Sequence, residues 1–127
     1  MNAKHYTSIE MSKKLLELGL SPDTADMHYL KIIRENDVRY IPELLLDDNE
    51  YDIPCWSLGA LLELMPKIQE DEDDGGCYPN LCKGWDNDQW HCVYRSSIHI
   101  TKWYDNPIDA AFEMVCWLLE NEYIKKG

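Results

Sequence analysis

The stretch that decides the fold is Asn106–Tyr123, NPIDAAFEMVCWLLENEY. Asn106 is a favoured N-cap, Pro107 suits a first turn that has no use for its missing N–H, and Asp109 completes a capping-box-like start. Ile108, Ala111, Phe112, Val115, Leu118 and Leu119 recur at helical spacing, and Ala110, Met114 and Trp117 widen that stripe. Only Asp109, Glu113, Cys116 and Glu120 form a narrow polar face. A helix patterned in this way has to be covered on most of its sides, so the remaining chain must supply the cover.

Just upstream, three short runs rich in aromatic and β-branched residues, about 77–83, 89–95 and 98–104, are separated by Gly84–Asp88 and by Ser96-Ser97. This spacing predicts an antiparallel meander. In its middle run Trp90, Cys92 and Tyr94 share one face. Pairing Tyr94 with His99 would add His99, Thr101 and Trp103 to that face. A loop one residue longer would add Ile98, Ile100 and Tyr104, and their apolarity favours this second register.

Further upstream, Ser57 reads as an N-cap, with Trp56 and Leu61 placed as a hydrophobic staple. Leu58, Leu61, Leu62 and Met65 form a helical stripe that Pro66 stops. Near the start, Thr7 and Glu10 suggest a capping box for a helix carrying Ile9, Leu15, Leu16 and Leu18. Gly19 ends that helix with Leu20 folded back on its last turn. Ser21-Pro22 predicts a second short helix to about Leu30. Residues 32–46 read either as an edge strand or as a turn of helix around Pro42.

The fold class these elements predict is α+β: a small antiparallel sheet of three or four strands, packed by the C-terminal helix and the central helix, with N-terminal helices flanking. The 127 residues carry no repeat or linker, so a single domain spanning 1–127 is expected, able to bury roughly two-thirds of its unfolded surface.

Lys and Arg number 12 and Asp and Glu 24, a formal charge of 12 − 24 = −12. Such a surface repels phosphate backbones and anionic bilayers, so neither nucleic acid nor membrane is an expected partner. Between Glu43 and Asp74 there are eleven acidic residues and one basic residue, Lys67, a net of −11 + 1 = −10. The run Glu70, Asp71, Glu72, Asp73, Asp74 cannot pack on itself and reads as a solvated loop. With no signal-peptide core and no apolar run near the roughly 18 residues of a span, a cytoplasmic location is expected. Five scattered cysteines, Cys55, Cys77, Cys82, Cys92 and Cys116, fit reduced core thiols.

Together, IPCWSLGALLELMP (53–66), the aromatic meander and DAAFEMVCWLLENEYIKKG (109–127) resemble a group of small uncharacterised proteins encoded in prophages and other mobile elements. The likeness covers the C-terminal two-thirds. Its motifs are caps, core stripes and a helix end, so it implies a genomic setting and brings no catalytic or binding residues. Where such chains have glycine after the last helix, as in ENGY, this one has Glu122.

Several chemistries can be tested against spacing. Cys77, Cys82, His91 and Cys92 are soft metal ligands, yet no C-x-x-C pair is present and adjacent His91 and Cys92 face opposite ways in a strand. Aligning Glu70, Glu72, Asp74 and Gly75 with an EF-hand loop puts Leu81 where a bidentate glutamate is needed. Cys92 or Ser97 with His91 or His99 lacks a nucleophile elbow or phosphate loop. No catalytic residue, metal or cofactor is therefore expected.

Trp85, in a polar loop, and Trp103, opposite the preferred core face, stand out as anchors for a partner, because tryptophan is enriched at binding hot spots. The alternative is that they cover the edge of the core. Three functions follow: a non-enzymatic protein-interaction or accessory factor using the aromatic face or the acidic run Glu70–Asp74, a DNA mimic, or an enzyme or metal-site protein built on the Cys/His meander. The first is preferred.

Overall fold

A computed structural model describes residues 5–34, 37–44, 53–68, 76–95 and 98–126. Its named helices and strands are α1 (Ile9–Glu17), β1 (Met27–Arg34), β2 (Asp37–Leu44), β3 (Ile53–Cys55), α2 (Leu58–Leu64), β4 (Asn80–Lys83), β5 (Trp90–Val93) and α3 (Pro107–Glu120). The class is α+β, with α3 packed on β5, β4 and α2.

The start of α3 follows the sequence reading. Asn106 Oδ1 accepts the Asp109 N–H at 3.0 Å and its Nδ2 donates to Asp109 Oδ2 at 2.9 Å. Ile108, Ala110, Ala111, Met114, Val115, Leu118 and Leu119 are all buried. Trp56 and Leu61 are buried in the same core, on either side of the α2 cap Ser57, which accepts the Ala60 N–H. Cys92 and Tyr94 complete the cover from the β5 side.

Both long helices close with a Schellman bond pair, and the two positive-φ residues differ. After α1, Gly19 stands at φ 99°, Leu20 N–H reaches the Leu15 carbonyl and Gly19 N–H that of Leu16. After α3 the left-handed position falls to Glu122, at φ 63°, with Tyr123 N–H on Leu118 and Glu122 N–H on Leu119. The cap forms without glycine and holds a Cβ where one costs about 1 kcal/mol.

Two N-terminal expectations are corrected. Ser8, not Thr7, caps α1, accepting the Met11 N–H at 3.1 Å. Thr7 is wholly buried and holds tertiary contacts: its N–H donates to the Trp56 carbonyl, its Oγ1 accepts the Trp56 N–H at 3.0 Å and lies 2.8 Å from Ser12 Oγ, and its carbonyl accepts from Tyr29 Oη at 2.6 Å. The helix expected from Ser21 to Leu30 is a single 3-10 turn, Pro22–Thr24, after which Met27 enters β1. The chain is held there by distant partners. Asp26 accepts from both the N–H and the hydroxyl of Ser57, and Met27–Tyr29 pair on both sides.

The region left open between strand and helix forms the larger sheet, in the order β2-β1-β3. Two prolines fix its hydrogen-bonding phase. Pro42 lies opposite Tyr29 and Pro54 opposite His28, and neither can donate to β1. Tyr29 therefore bonds toward β3 and His28 toward β2, a single alternation that satisfies both flanks.

The meander forms a second, two-stranded sheet, β4-β5, with Leu81 opposite Cys92 and Cys82 opposite His91. Its third run joins through separate bridges, Val93 to Ile100 and Trp90 to Tyr104. Two residues divide β5 at these bridges and three divide the third run, so Lys102 and Trp103 form a bulge opposite His91. This corrects the preferred register: Tyr94 N–H bonds to the His99 carbonyl, Thr101 is buried, and Ile100 is 48% exposed. Past the bulge the phase flips, turning Tyr104 toward the core and Trp103 outward. Thr101 wins the inward place because its hydroxyl accepts the Cys92 N–H at 2.8 Å, which the bulge leaves without a backbone partner.

Candidate functional site

The outer side of the meander is the candidate site. By strand alternation Cys82, His91, Val93 and Ile100 lie on the side away from α3, and the bulge adds Trp103. Trp103 is 42% exposed and stacks on His91, with ring centroids 3.9 Å apart and an angle of 14°. The stack fixes the indole's orientation while leaving one flank open to solvent. Lys102 N–H, on the same bulge, donates to Glu113 Oε2 of α3 at 2.9 Å, which ties the bulge to the rigid core.

At one end the β4–β5 hairpin closes with Gly84 N–H on the Gln89 carbonyl. Asn87 Oδ1 accepts the Gln89 N–H at 3.2 Å, and a Cβ at Gly84 would come within 2.0 Å of that oxygen, so a larger residue there would have to displace the Asn87 side chain from this bond. At the tip Trp85 is 98% exposed, between Gly84 and Asp86. Lys83 Nζ lies 5.7 Å from the Trp90 ring centroid and 4.0 Å from Asp88. Of the two expected anchors, Trp85 sits at the loop tip and Trp103 on the sheet face, and neither covers the core edge. The run Glu70, Asp71, Glu72, Asp73, Asp74 lies outside the described residues; Ile68 and Cys77, which flank it, pair by two backbone bonds.

The inner side of the meander carries His99 and Cys92. His99 stacks on Trp117 at 4.4 Å and 5°, and Trp117 stacks on Tyr123 at 5.4 Å. Burial lowers the His99 pKa, partly opposed by Glu113. His91 Nδ1 and His99 Nε2 are buried without a hydrogen-bond partner. Burial pushes the Cys92 thiol up to about 12, with Cys82 adding to the rise, so the thiolate that nucleophilic or metal chemistry uses is disfavoured. Cys116 is raised to about 12 and Cys55 to about 11, mainly by burial. Among the described residues no group of three or more His, Cys, Asp or Glu could hold a metal ion, and Cys92 points away from Cys82 and His91. Ser97 lies outside the described residues. No helix among them is long and apolar enough to cross a membrane.

Sequence reasoning missed the exposure of Ile100 and Tyr78, the latter 65% exposed. The signal for Ile100 was available in Thr101, a residue with a hydroxyl to place beside a strand that needed an acceptor. Compared with protein families, with curated proteins and with solved structures, the chain matches none.

Proposed function

We propose that this chain is a small acidic, non-enzymatic protein-interaction or accessory factor of a prophage or mobile element, working in the cytoplasm on a protein partner. The observation that carries this reading is Trp85, 98% exposed at the tip of a hairpin that the Gly84 N–H closes on the Gln89 carbonyl. A large amphipathic side chain presented with little loop freedom is what a binding anchor requires. Trp103, half-exposed and braced by His91, offers a second aromatic group on the outer side of the meander.

The test is capture from a host-cell lysate on immobilised protein, comparing the wild type with Trp85→Ala, Trp103→Ala and a variant whose run Glu70–Asp74 is changed to Asn and Gln. Loss of the captured protein with either tryptophan variant, both folded, supports the reading. Capture unaffected by both tryptophans overturns it for this surface. If neutralising the run instead slows association and flattens its salt dependence, recognition runs through the carboxylates.

A second reading, a DNA mimic, is favoured by the −10 concentrated between Glu43 and Asp74. It predicts a captured partner that duplex DNA displaces in competition, and a partner indifferent to DNA excludes it.

A further inference from the structure

The five tryptophans differ in what lies against their rings. Trp56 is wholly buried and donates from Nε1 to Thr24 Oγ1, Trp103 is stacked on His91, and Trp117 stacks on both His99 and Tyr123. Trp90 carries a cation: Lys83 Nζ lies 5.7 Å from its ring centroid and 4.0 Å from Asp88 Oδ1. Trp85, 98% exposed, has neither a ring nor a cation against it among the described residues.

The Lys83 contact is a worked instance, built from the hairpin's own residues, of an ammonium shared between an indole and a carboxylate. Two residues further on, the same hairpin presents an indole and carboxylates without the cation. Trp85 is followed by Asp86 and, past Asn87, by Asp88, and all four side chains are exposed. Asp88 has Lys83 beside it, whereas Asp86 has no basic partner among the described residues. Gln89 Nε2 donates to Asp105 Oδ1 at 3.3 Å and so brings a third exposed carboxylate to the base of the turn. Lys83, Asp86, Asp88 and Asp105 give this end of the hairpin a net of +1 − 3 = −2, within a chain of net −12.

We infer that the Trp85 tip takes an arginine from an exposed basic segment of the partner protein, the guanidinium lying flat on the indole with its N–H edge toward Asp86. The inference rests on the reading of Trp85 as the partner anchor and adds the chemistry of what is anchored. An apolar or aromatic side chain would cover the ring but leave the carboxylates beside it with nothing to bind, and a phosphate or an acidic segment is repelled. Between the two cations, the guanidinium fits better. It is planar and weakly hydrated, so it can stack on an indole while its N–H groups stay free for a carboxylate; an ammonium is compact and must shed more water to reach the ring. The net negative charge of the whole chain draws a basic segment in from a distance, and the indole then selects among its residues.

Nitrogen–proton correlation NMR of the full chain tests this, because each tryptophan gives its own indole N–H signal and Trp85→Leu identifies the one from Trp85. The probes are capped peptides of sequence Gly-Arg-Gly-Arg-Gly and their lysine and glutamine counterparts, titrated at about 0.05 and 0.3 M NaCl. The expected result is a saturable shift of the Trp85 signal with the arginine peptide while the Trp103 and Trp117 signals stay in place. The lysine peptide should bind about threefold more weakly or worse, and the glutamine peptide should leave the signal unmoved. Higher salt should weaken binding, Asp86→Asn should weaken it about twofold or more, and Trp85→Leu should remove the preference for arginine over lysine. The unchanged signals of the other four indoles report that each variant is folded. Equal binding of the arginine and lysine peptides, shifts at Trp103 or Trp117 as large as at Trp85, or indifference to Asp86→Asn would each overturn the inference. In the lysate, a partner lost with Trp85→Ala yet indifferent to Asp86→Asn and to excess arginine peptide would overturn the arginine assignment alone, and a partner unaffected by Trp85→Ala would overturn the anchor with it.

Discussion

Helix α3 and strand β2 are both rich in apolar side chains, and the fold treats them oppositely. Of α3, seven side chains from Ile108 to Leu119 are buried, with α2 on one flank and the meander on another. In β2, Val38, Tyr40 and Ile41 remain open to solvent. Apolar pattern alone therefore does not rank a segment's contribution to stability. What ranks it is how many other elements can reach it: α3 meets three, whereas β2 pairs only with β1 among the described residues.

The comparison breaks if truncations in the two regions cost the same. Leu118→Ala should lose about 2–5 kcal/mol in urea denaturation, since it opens a cavity in the core. Ile41→Ala should lose no more than about 0.5 kcal/mol, a surface-like effect. Next in size is Thr7→Val, expected to lose about 1–3 kcal/mol because it strips the Trp56 N–H of its acceptor while keeping the shape. A loss below about half a kcal/mol would mean that water replaces the hydroxyl.

Glu122→Gly sharpens the picture in the opposite direction. Glycine relieves the left-handed Cβ but gives the unfolded chain more freedom, so a net gain of about 0.5 kcal/mol is expected. A measured loss would show that the side chain offsets its own strain.

The smallest effect is on pH. Burial lowers the His99 pKa below its usual 6.5, so the unfolded chain takes up the proton first. The contribution of neutral His99 is complete above pH 6.5 and is lost as pH falls from there toward the lowered folded value. Stability of the wild type should therefore decline over that acidic window more than that of His99→Gln. A parallel pH profile for the two would place the titration elsewhere.

The sequence spoke clearly where structure is local. The caps Asn106 and Ser57 and the Gly19 cap are written within a few residues of where they act, and all of them form, while Trp56 and Leu61, spaced as a staple, are both buried in the core. The misreadings came where distant residues decide. Thr7 looked like a cap because its partner Trp56 lies 49 residues away. Ser21–Leu30 looked helical because nothing nearby announces the Asp26–Ser57 bond or the double pairing of Met27–Tyr29. In the meander, apolarity favoured Ile100 over Thr101, and a bulge that serves one backbone N–H reversed the choice. Trp85 was legible as a polar-flanked aromatic, but its placement needed the Gly84–Asn87 turn.

The order of the chain gives the Thr7 network and α3 a consequence for biosynthesis. A ribosome produces Thr7 long before Trp56, and it produces Trp56, Leu61, Cys92 and Tyr94 before the helix that covers them. Until α3 emerges, α2, β4 and β5 hold apolar faces that it covers in the finished fold, so this part of the core closes only after the chain has been made as far as Glu120.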